Sequence, residues 1–324
     1  MWERRYRSAV HSLSDRFSVR VVYDAVLAKA QAAAAEVGAE VAAGLRQVFE
    51  RTDLHAVLVL DAAWYDLFPA ELACLCRKPT FLAGSLGGDL PALAALHQLA
   101  VERETLLMTE FSRRYTPATT RLRELIATHL GEARQVTVAA VVPVAASTGP
   151  LPGQSCERDY LAGLLDWCQY ITGRVPTSLL ATPLSSKNEP WEIELGFRPD
   201  PSGRPATTAK LQLQPATVTE GMDDGVGEES DWPFPSHQIV CERGEAQFAA
   251  AGEICWKNGT RLDSGTERLL AERTDAEVML DQFSRRILGG LVPVADVQDV
   301  CRVLTLVAAT LASRESGRET RLAW

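Results

Sequence analysis

Several polar side chains fall just beyond apolar, strand-like runs, which is where parallel α/β sheets bind ligands. Asp24 follows Val19 to Tyr23, Trp64 follows Ala56 to Leu60, and Glu110, Arg113 and Arg114 follow Thr105 to Thr109. A carboxylate such as Glu110 could move a proton. Arg114 could clamp an anionic or hydroxylated ligand, or pair with a neighbouring carboxylate as arginines commonly do. Trp64 could stack on a ligand or pack as a loop aromatic. Metal chemistry is not expected, because Cys74 and Cys76 form an isolated C-x-C with no nearby histidine to complete a zinc site. The five histidines, His11, His55, His97, His129 and His237, show no metal-binding spacing. Seven cysteines, an odd number in a long chain with no signal-like segment, read as reduced core thiols.

The elements that must position these groups alternate along the first part of the chain. Strand-like Val19 to Tyr23 precedes an alanine-rich helix from Val26 to Val37, closed by Gly38. Glu40 to Ala42, Ala56 to Leu60, Thr80 to Ala83 and Thr105 to Thr109 read as further strands, with helices through Leu45 to Arg51, Pro69 to Cys76 and Pro91 to Arg103. Such alternation implies a parallel sheet covered by helices. A charged helix, Thr116 to Leu130, ends this region. Beyond it, Val136 to Val144, Glu192 to Phe197, Lys210 to Gln214, His237 to Val240 and Ala246 to Ala249 are β-rich, with one strong helix from Asp159 to Ile171. The expected fold is α/β: an incomplete Rossmann-like parallel sheet over residues 1–134, then an α+β domain with a largely antiparallel open sheet over 135–324. Residues 198–235 read as loops whose acidic run, Asp223 to Glu229, is solvated. Two helices separated by Pro293 are expected between Asp275 and Ser313.

A dinucleotide-binding domain normally opens with a strand and a glycine-rich turn whose N–H groups hold the pyrophosphate. Here Met1 leads directly into a helix-like segment, Trp2 to Leu13. A missing strand would leave unpaired N–H and C=O groups in mid-sheet, so the sequence is expected to be truncated at its N-terminus. The net charge of -9 argues against nucleic acid or an anionic membrane as the main partner. No apolar run approaches the length of a membrane helix, and a cytoplasmic protein is expected.

Taken in order, Val19 to Asp24, Asp53 to Val59, Phe111 to Ala118, Leu122 to Leu125, Leu130-Gly131, Leu165 to Trp167, Phe283 to Pro293 and Ser313 to Gly317 resemble the Gfo/Idh/MocA family of nicotinamide-dependent sugar and inositol dehydrogenases. The resemblance implies NAD(H) as cofactor, a sugar-like small molecule as ligand, and a homo-oligomer built through the C-terminal sheet. It places Asp24 where the family's acidic residue accepts the adenosine ribose hydroxyls, favouring NAD over NADP. Asp24 could equally cap the following helix. Trp64 falls in the family's nicotinamide-side loop. The sequence departs from the family at two positions. The lysine of the family's Glu-Lys-Pro corresponds to Gly84, between Ala83 and Ser85, and the histidine of its Asp-x-x-x-His corresponds to Gly163, four residues after Asp159. No group near Asp159 then titrates close to neutral pH. Asp159 stands as a catalytic candidate or as a helix-start residue. Cofactor binding is expected to be weakened or lost without the phosphate turn. Three readings stand: an oxidoreductase homologue transferring hydride from a sugar or polyol hydroxyl, a divergent enzyme with Glu110, Asp159 or Asp166 as base, and a non-catalytic binding or scaffold protein retaining the fold.

Overall fold

The computed structural model describes residues 1–61, 65–84, 86, 89–145, 156–183, 190–198, 206–218 and 234–324. Trp64, Ser85 and the acidic run Asp223 to Glu229 lie outside the described residues. In chain order the structure has α1 (Arg7–Ser12), β1 (Val21–Val22), α2 (Leu27–Val37), β2 (Glu40–Val41), α3 (Leu45–Glu50), β3 (Val57–Val59), α4 (Phe68–Leu75), β4 (Thr80–Leu82), α5 (Leu90–Glu102) and β5 (Leu107–Thr109). There follow α6 (Pro117–Leu125), β6 (Ala133–Ala145), α7 (Cys156–Thr172), β7 (Pro176–Pro183), β8 (Trp191–Phe197), β9 (Thr208–Val218) and β10 (Ser236–Cys241). The last elements are β11 (Gly244–Ala250), β12 (Glu253–Asn258), β13 (Asp263–Arg268), α8 (Asp275–Ile287), α9 (Val297–Ser316) and β14 (Thr320–Arg321). They pack as two compact units, Met1–Phe111 with Arg273–Arg302, and Ser112–Glu272 with Val303–Trp324.

In the first unit the βα alternation produces parallel pairing. β3, β4 and β5 form one parallel sheet in that order, and β1 pairs with β2 in another. Among the described residues, no strand hydrogen-bonds to both β1 and β3. Local sequence closes the helices as chain physics requires: Gly38 takes φ +66 and its N–H reaches the Ala34 carbonyl, ending α2 in the left-handed cap that glycine adopts without Cβ strain. Ahead of α1, Trp2–Tyr6 forms a π-helical turn. Tyr6, Ala9, Val10 and Leu13 fall at helical spacing and are all buried. The Tyr6 ring meets Phe81 edge-on at 5.7 Å, and Phe81 meets Phe283 of α8 at 5.9 Å. A segment from late in the chain thus joins the core of this unit. It also extends the sheet edge, where the Thr109 N–H donates to the Ala295 carbonyl at 3.0 Å and its hydroxyl to the Asp296 carbonyl at 3.2 Å.

The second unit is built on a nine-stranded sheet in the order β13-β12-β11-β10-β6-β9-β8-β7-β14. Its pairings are antiparallel except that β6 and β9 run parallel. Period-two alternation sends Val136, Val138, Ala140 and Val142 inward from β6, Trp191, Ile193, Leu195 and Phe197 from β8, and Ala209, Leu211 and Leu213 from β9. They share one core with Leu161, Leu164, Leu165, Cys168 and Ile171 of α7. Each large apolar side chain buried there contributes about 1.5 to 3 kcal/mol. Four strands, β7, β12, β13 and β14, are not expected from the sequence, and the helix expected over Thr116 to Leu130 is α6 followed by a π-helical turn, Ile126–Leu130.

An imidazole is among the polar side chains that enter this core. His237 is 3% exposed, stacked on Phe248 at 4.4 Å and 15°, and 4.4 Å from the Trp167 ring. Burial, reinforced by the Arg113 charge, pushes its imidazole down to about 3. That lies below the value of about 6.5 in an unfolded chain, so the stability held by neutral His237 is complete above about pH 6.5 and is lost as pH falls toward the folded value. His237→Phe should therefore flatten the decline between pH 6.5 and 4. Urea unfolding at pH 7 and pH 5 should show the wild type losing about 2 kcal/mol more than the variant over that interval; equal losses would contradict the assignment.

Candidate functional site

The carboxyl ends of β3, β4 and β5 carry the first group of site candidates. Glu110 follows β5 directly, and its backbone N–H donates to the Leu82 carbonyl at 3.0 Å, which fixes where its side chain starts. The Glu110 carboxylate accepts the Gly84 N–H at 2.8 Å and faces the Arg5 guanidinium at 3.0 Å. Arg5 also pairs with Asp275 at 2.7 Å. The Glu110 side chain is only 8% exposed, so its charge depends on these donors. Burial by itself would lower the Arg5 guanidinium pKa, but the Glu110 and Asp275 charges overcome this and raise it. Tyr6 is fully buried beside them, its phenol pushed up by burial and by the Glu110 charge.

Gly84, where the family resemblance expects a lysine, has φ +76. A residue with a side chain pays about 1 to 2 kcal/mol to adopt that left-handed region. The turn after β4 is shaped for glycine, and its N–H is spent on Glu110. The arginine that reaches this carboxylate comes from the N-terminal helical segment. Arg5 and Asp275 were not among the residues singled out in the sequence, where Arg4-Arg5 is one of several short arginine pairs and nothing marks its distant partners.

Asp24 is exposed at the end of β1, and its Oδ1 accepts the Val26 N–H at 2.7 Å. This is a local turn that leads into α2, whose N-cap residue is Val26. The carboxylate lies at the surface, as a ribose ligand would require.

The second unit holds the other candidates. Arg114 makes a two-point pair with Asp166, Nε to Oδ2 at 2.8 Å and Nη2 to Oδ1 at 2.5 Å, with side chains 11% and 1% exposed. Its guanidinium also lies over the Tyr170 ring at 5.1 Å. Arg113 is buried with its guanidinium 4.8 Å from the Tyr160 ring centre. Fork-to-fork pairing fixes Arg114 and ties the Asp166 charge to it, which leaves Asp166 poorly placed to act as a base. Asp159 is exposed in the first turn of α7, where a negative charge suits the helix dipole, and Gly163 lies one turn on. The structure therefore brings Arg114 to Asp166 in one unit and Glu110 to Gly84 and Arg5 in the other.

Thiol chemistry finds little support at the buried cysteines. Burial pushes Cys74 up to about 11 and Cys168 and Cys241 up to about 12, which suppresses the reactive thiolate. Among the described residues no three His, Cys, Asp or Glu side chains group as a metal site, and no helix is long and apolar enough to cross a membrane.

A parallel-sheet unit followed by a large, mostly antiparallel open sheet is the fold of the Gfo/Idh/MocA-type oxidoreductases, and the chain has that fold. It is similar along its whole length to an oxidoreductase domain protein from Kribbella flavida (TM-score 0.78, 16% identity, 100% of this chain and 96% of that one). A UDP-N-acetylglucosamine 3-dehydrogenase from Acidithiobacillus ferrooxidans matches with TM-score 0.74 and 18% identity over 96% and 94% of the two chains. A levoglucosan dehydrogenase, solved with NADH and levoglucosan, matches with TM-score 0.72 and 15% identity over 98% and 95%. No protein-family model matches the sequence, and no curated protein does.

The Arg5 and Glu110 pair should couple measurably. Arg5→Met is expected to destabilise the protein by about 3 kcal/mol, because it removes a cation from a buried carboxylate, and Glu110→Gln in that background should recover part of the loss. A denaturant double-mutant cycle with coupling near zero would show that the pair is incidental.

Proposed function

We propose that this chain is a nicotinamide-nucleotide and sugar-binding protein of the dehydrogenase fold that lacks efficient hydride-transfer activity. The observation that carries this reading is Gly84, whose φ of +76 and N–H bond to Glu110 belong to a turn that holds no lysine. Gly163 of α7 supports it, since the imidazole expected one turn from Asp159 is absent. Oxidising a hydroxyl needs a group to take its proton as hydride leaves, and a positioned acid or base contributes typically 10² to 10⁴ in rate. Asp166, bound to Arg114, is a poor substitute.

NAD(H) is the cofactor this reading assigns, with Asp24 toward the adenosine ribose and Trp64 on the nicotinamide side. The residues fit the adenosine end better than the pyrophosphate, because the sequence contains no G-x-G-x-x-G turn. When bound, the nicotinamide would supply the hydride acceptor or donor; the chain's part is to orient and to exclude water. Glu110 of the first unit is assigned to the sugar-like ligand's surroundings, whereas Arg114 stays with Asp166. Binding of NADH is expected to be weak, with saturation between high micromolar and millimolar concentration.

A second reading keeps a slow enzyme with Asp159 as base, favoured by the exposure of that carboxylate in the first turn of α7. NADH titration followed by fluorescence, together with a sugar and polyol panel assayed with NAD⁺, separates the outcomes. Saturable binding without turnover supports the binding protein. Turnover abolished by Asp159→Asn would replace it with the divergent enzyme, and no saturable signal at millimolar NADH would refute the cofactor assignment.

The same reading includes a homo-oligomer assembled on the C-terminal sheet. The outward row Thr137, Gln238, Gln247 and Cys255 crosses four strands in register and, with Ala139 and Gln212, lines a groove of about 610 Å³. The row from Thr137 to Cys255 is uncharged, which suits a buried contact since interface cores are depleted of charge, while Glu253 also lines the groove and Lys210 pairs beside Thr137.

A further inference from the structure

We propose that a second copy of this chain pairs with the outer edge of β13, antiparallel and centred on Thr266, joining two nine-stranded sheets into one; this rests on the homo-oligomer of the preceding reading. The two edges of the sheet differ. β14 is a two-residue strand, whereas β13 holds six consecutive register pairs with β12, without bulge or proline. A long regular edge presents a row of backbone donors and acceptors that templates another strand, and proteins usually blunt such edges. Asp263, Ser264, Thr266 and Arg268 of this edge are exposed.

Two leucines flank the strand. Leu262 is 94% exposed and Leu270 is 91% exposed. Leu262 also holds φ +54 at the hairpin end, a conformation suited to glycine and unfavourable for leucine. Neither burial nor backbone preference within the chain accounts for an apolar side chain there.

Both leucines lie four positions from Thr266. In an antiparallel pair related by a two-fold axis normal to the sheet, directly opposed residues must lie on the same face, so the axis must pass through a residue. Centring on Thr266 sets Thr266 against Thr266, places Arg268 opposite Ser264 of the second copy, and brings the flanking Leu262 of one copy and Leu270 of the other to the same end of the ladder, just beyond its last strand pairs. Glu267 faces Gly265, and its carboxylate is already held by Arg121 at 2.7 Å and by the Trp256 indole at 2.7 Å. The neighbouring registers are worse. Centring on Gly265 opposes Asp263 to Glu267, and centring on Glu267 opposes that carboxylate to itself; like charges directly opposed are destabilising. An isologous contact needs a patch complementary to itself, and this register supplies one.

Opposed residues in an antiparallel pair have Cα atoms about 4.5 to 5.5 Å apart, within the span of a disulfide. Thr266→Cys, made with Cys255→Ser because the Thr266 hydroxyl lies 3.5 Å from the Cys255 sulfur, should give a covalent dimer on oxidation. Sedimentation velocity should show Leu262→Lys/Leu270→Lys weakening the dimer by about tenfold or more, while Leu262→Lys/Leu270→Glu retains it. These leucines are exposed, so folding is not at issue. An oligomer that ignores the double lysine variant, fails to crosslink at Thr266 and dissociates with Gln238→Arg would overturn the edge pairing and leave the sheet-face contact standing. A monomer at all concentrations would overturn both.

Discussion

A carboxylate buried at the end of a parallel strand must be given donors, and in the first unit that requirement at Glu110 draws three distant segments together. The Gly84 turn supplies an N–H, the N-terminal helical segment supplies Arg5, and the start of α8 supplies Asp275 to share the arginine. Around this polar cluster, Tyr6, Phe81 and Phe283 form a continuous aromatic core. The aromatic packing adds non-directional stabilisation. The charge cluster fixes the arrangement, because a buried ion tolerates few alternative geometries.

The same logic accounts for the chemistry left at each candidate position. Arg114 and Asp166 satisfy each other in a buried two-point pair, so two residues that could have served a ligand are engaged in holding α7 to the turn ahead of α6. Gly84 occupies a conformation that a lysine would strain. Asp159 at a helix start and Asp24 at a strand end lie at the surface. A surface carboxylate can accept hydrogen bonds from ligand hydroxyls.

The parts of the fold legible in the sequence were those whose burial is one-sided and local. β8 alternates Trp191, Ile193, Leu195 and Phe197 inward, and α2 ends at a glycine, so pattern and punctuation agree. β13 was not legible because its sequence, Asp-Ser-Gly-Thr-Glu-Arg, buries no apolar face; it is a strand because β12 offers it a ladder. β7 was obscured by the prolines at its ends, and β12 by charged and polar residues among its few apolar ones. Among the candidate residues, Glu110, Arg114 and Asp24 stand out in the sequence by their positions at strand ends, and Asp159 by the family resemblance. Arg5 and Asp275 carry no local signal, since their importance comes from a pairing across most of the chain length.

The sequence by itself determined the alternation of strands and helices, the change to a large antiparallel sheet, and the absence of a titratable side chain at residues 84 and 163, because each of these is written in residue type and short-range period. Only the tertiary structure decided which charges are engaged: that Arg114 belongs to Asp166, that Glu110 belongs to Arg5 and the Gly84 turn, and that His237 is sealed among aromatic rings. The reason is that the state of a charged or titratable group depends on its distance to other groups and on exclusion of water, and both arise from contacts between residues far apart in the chain.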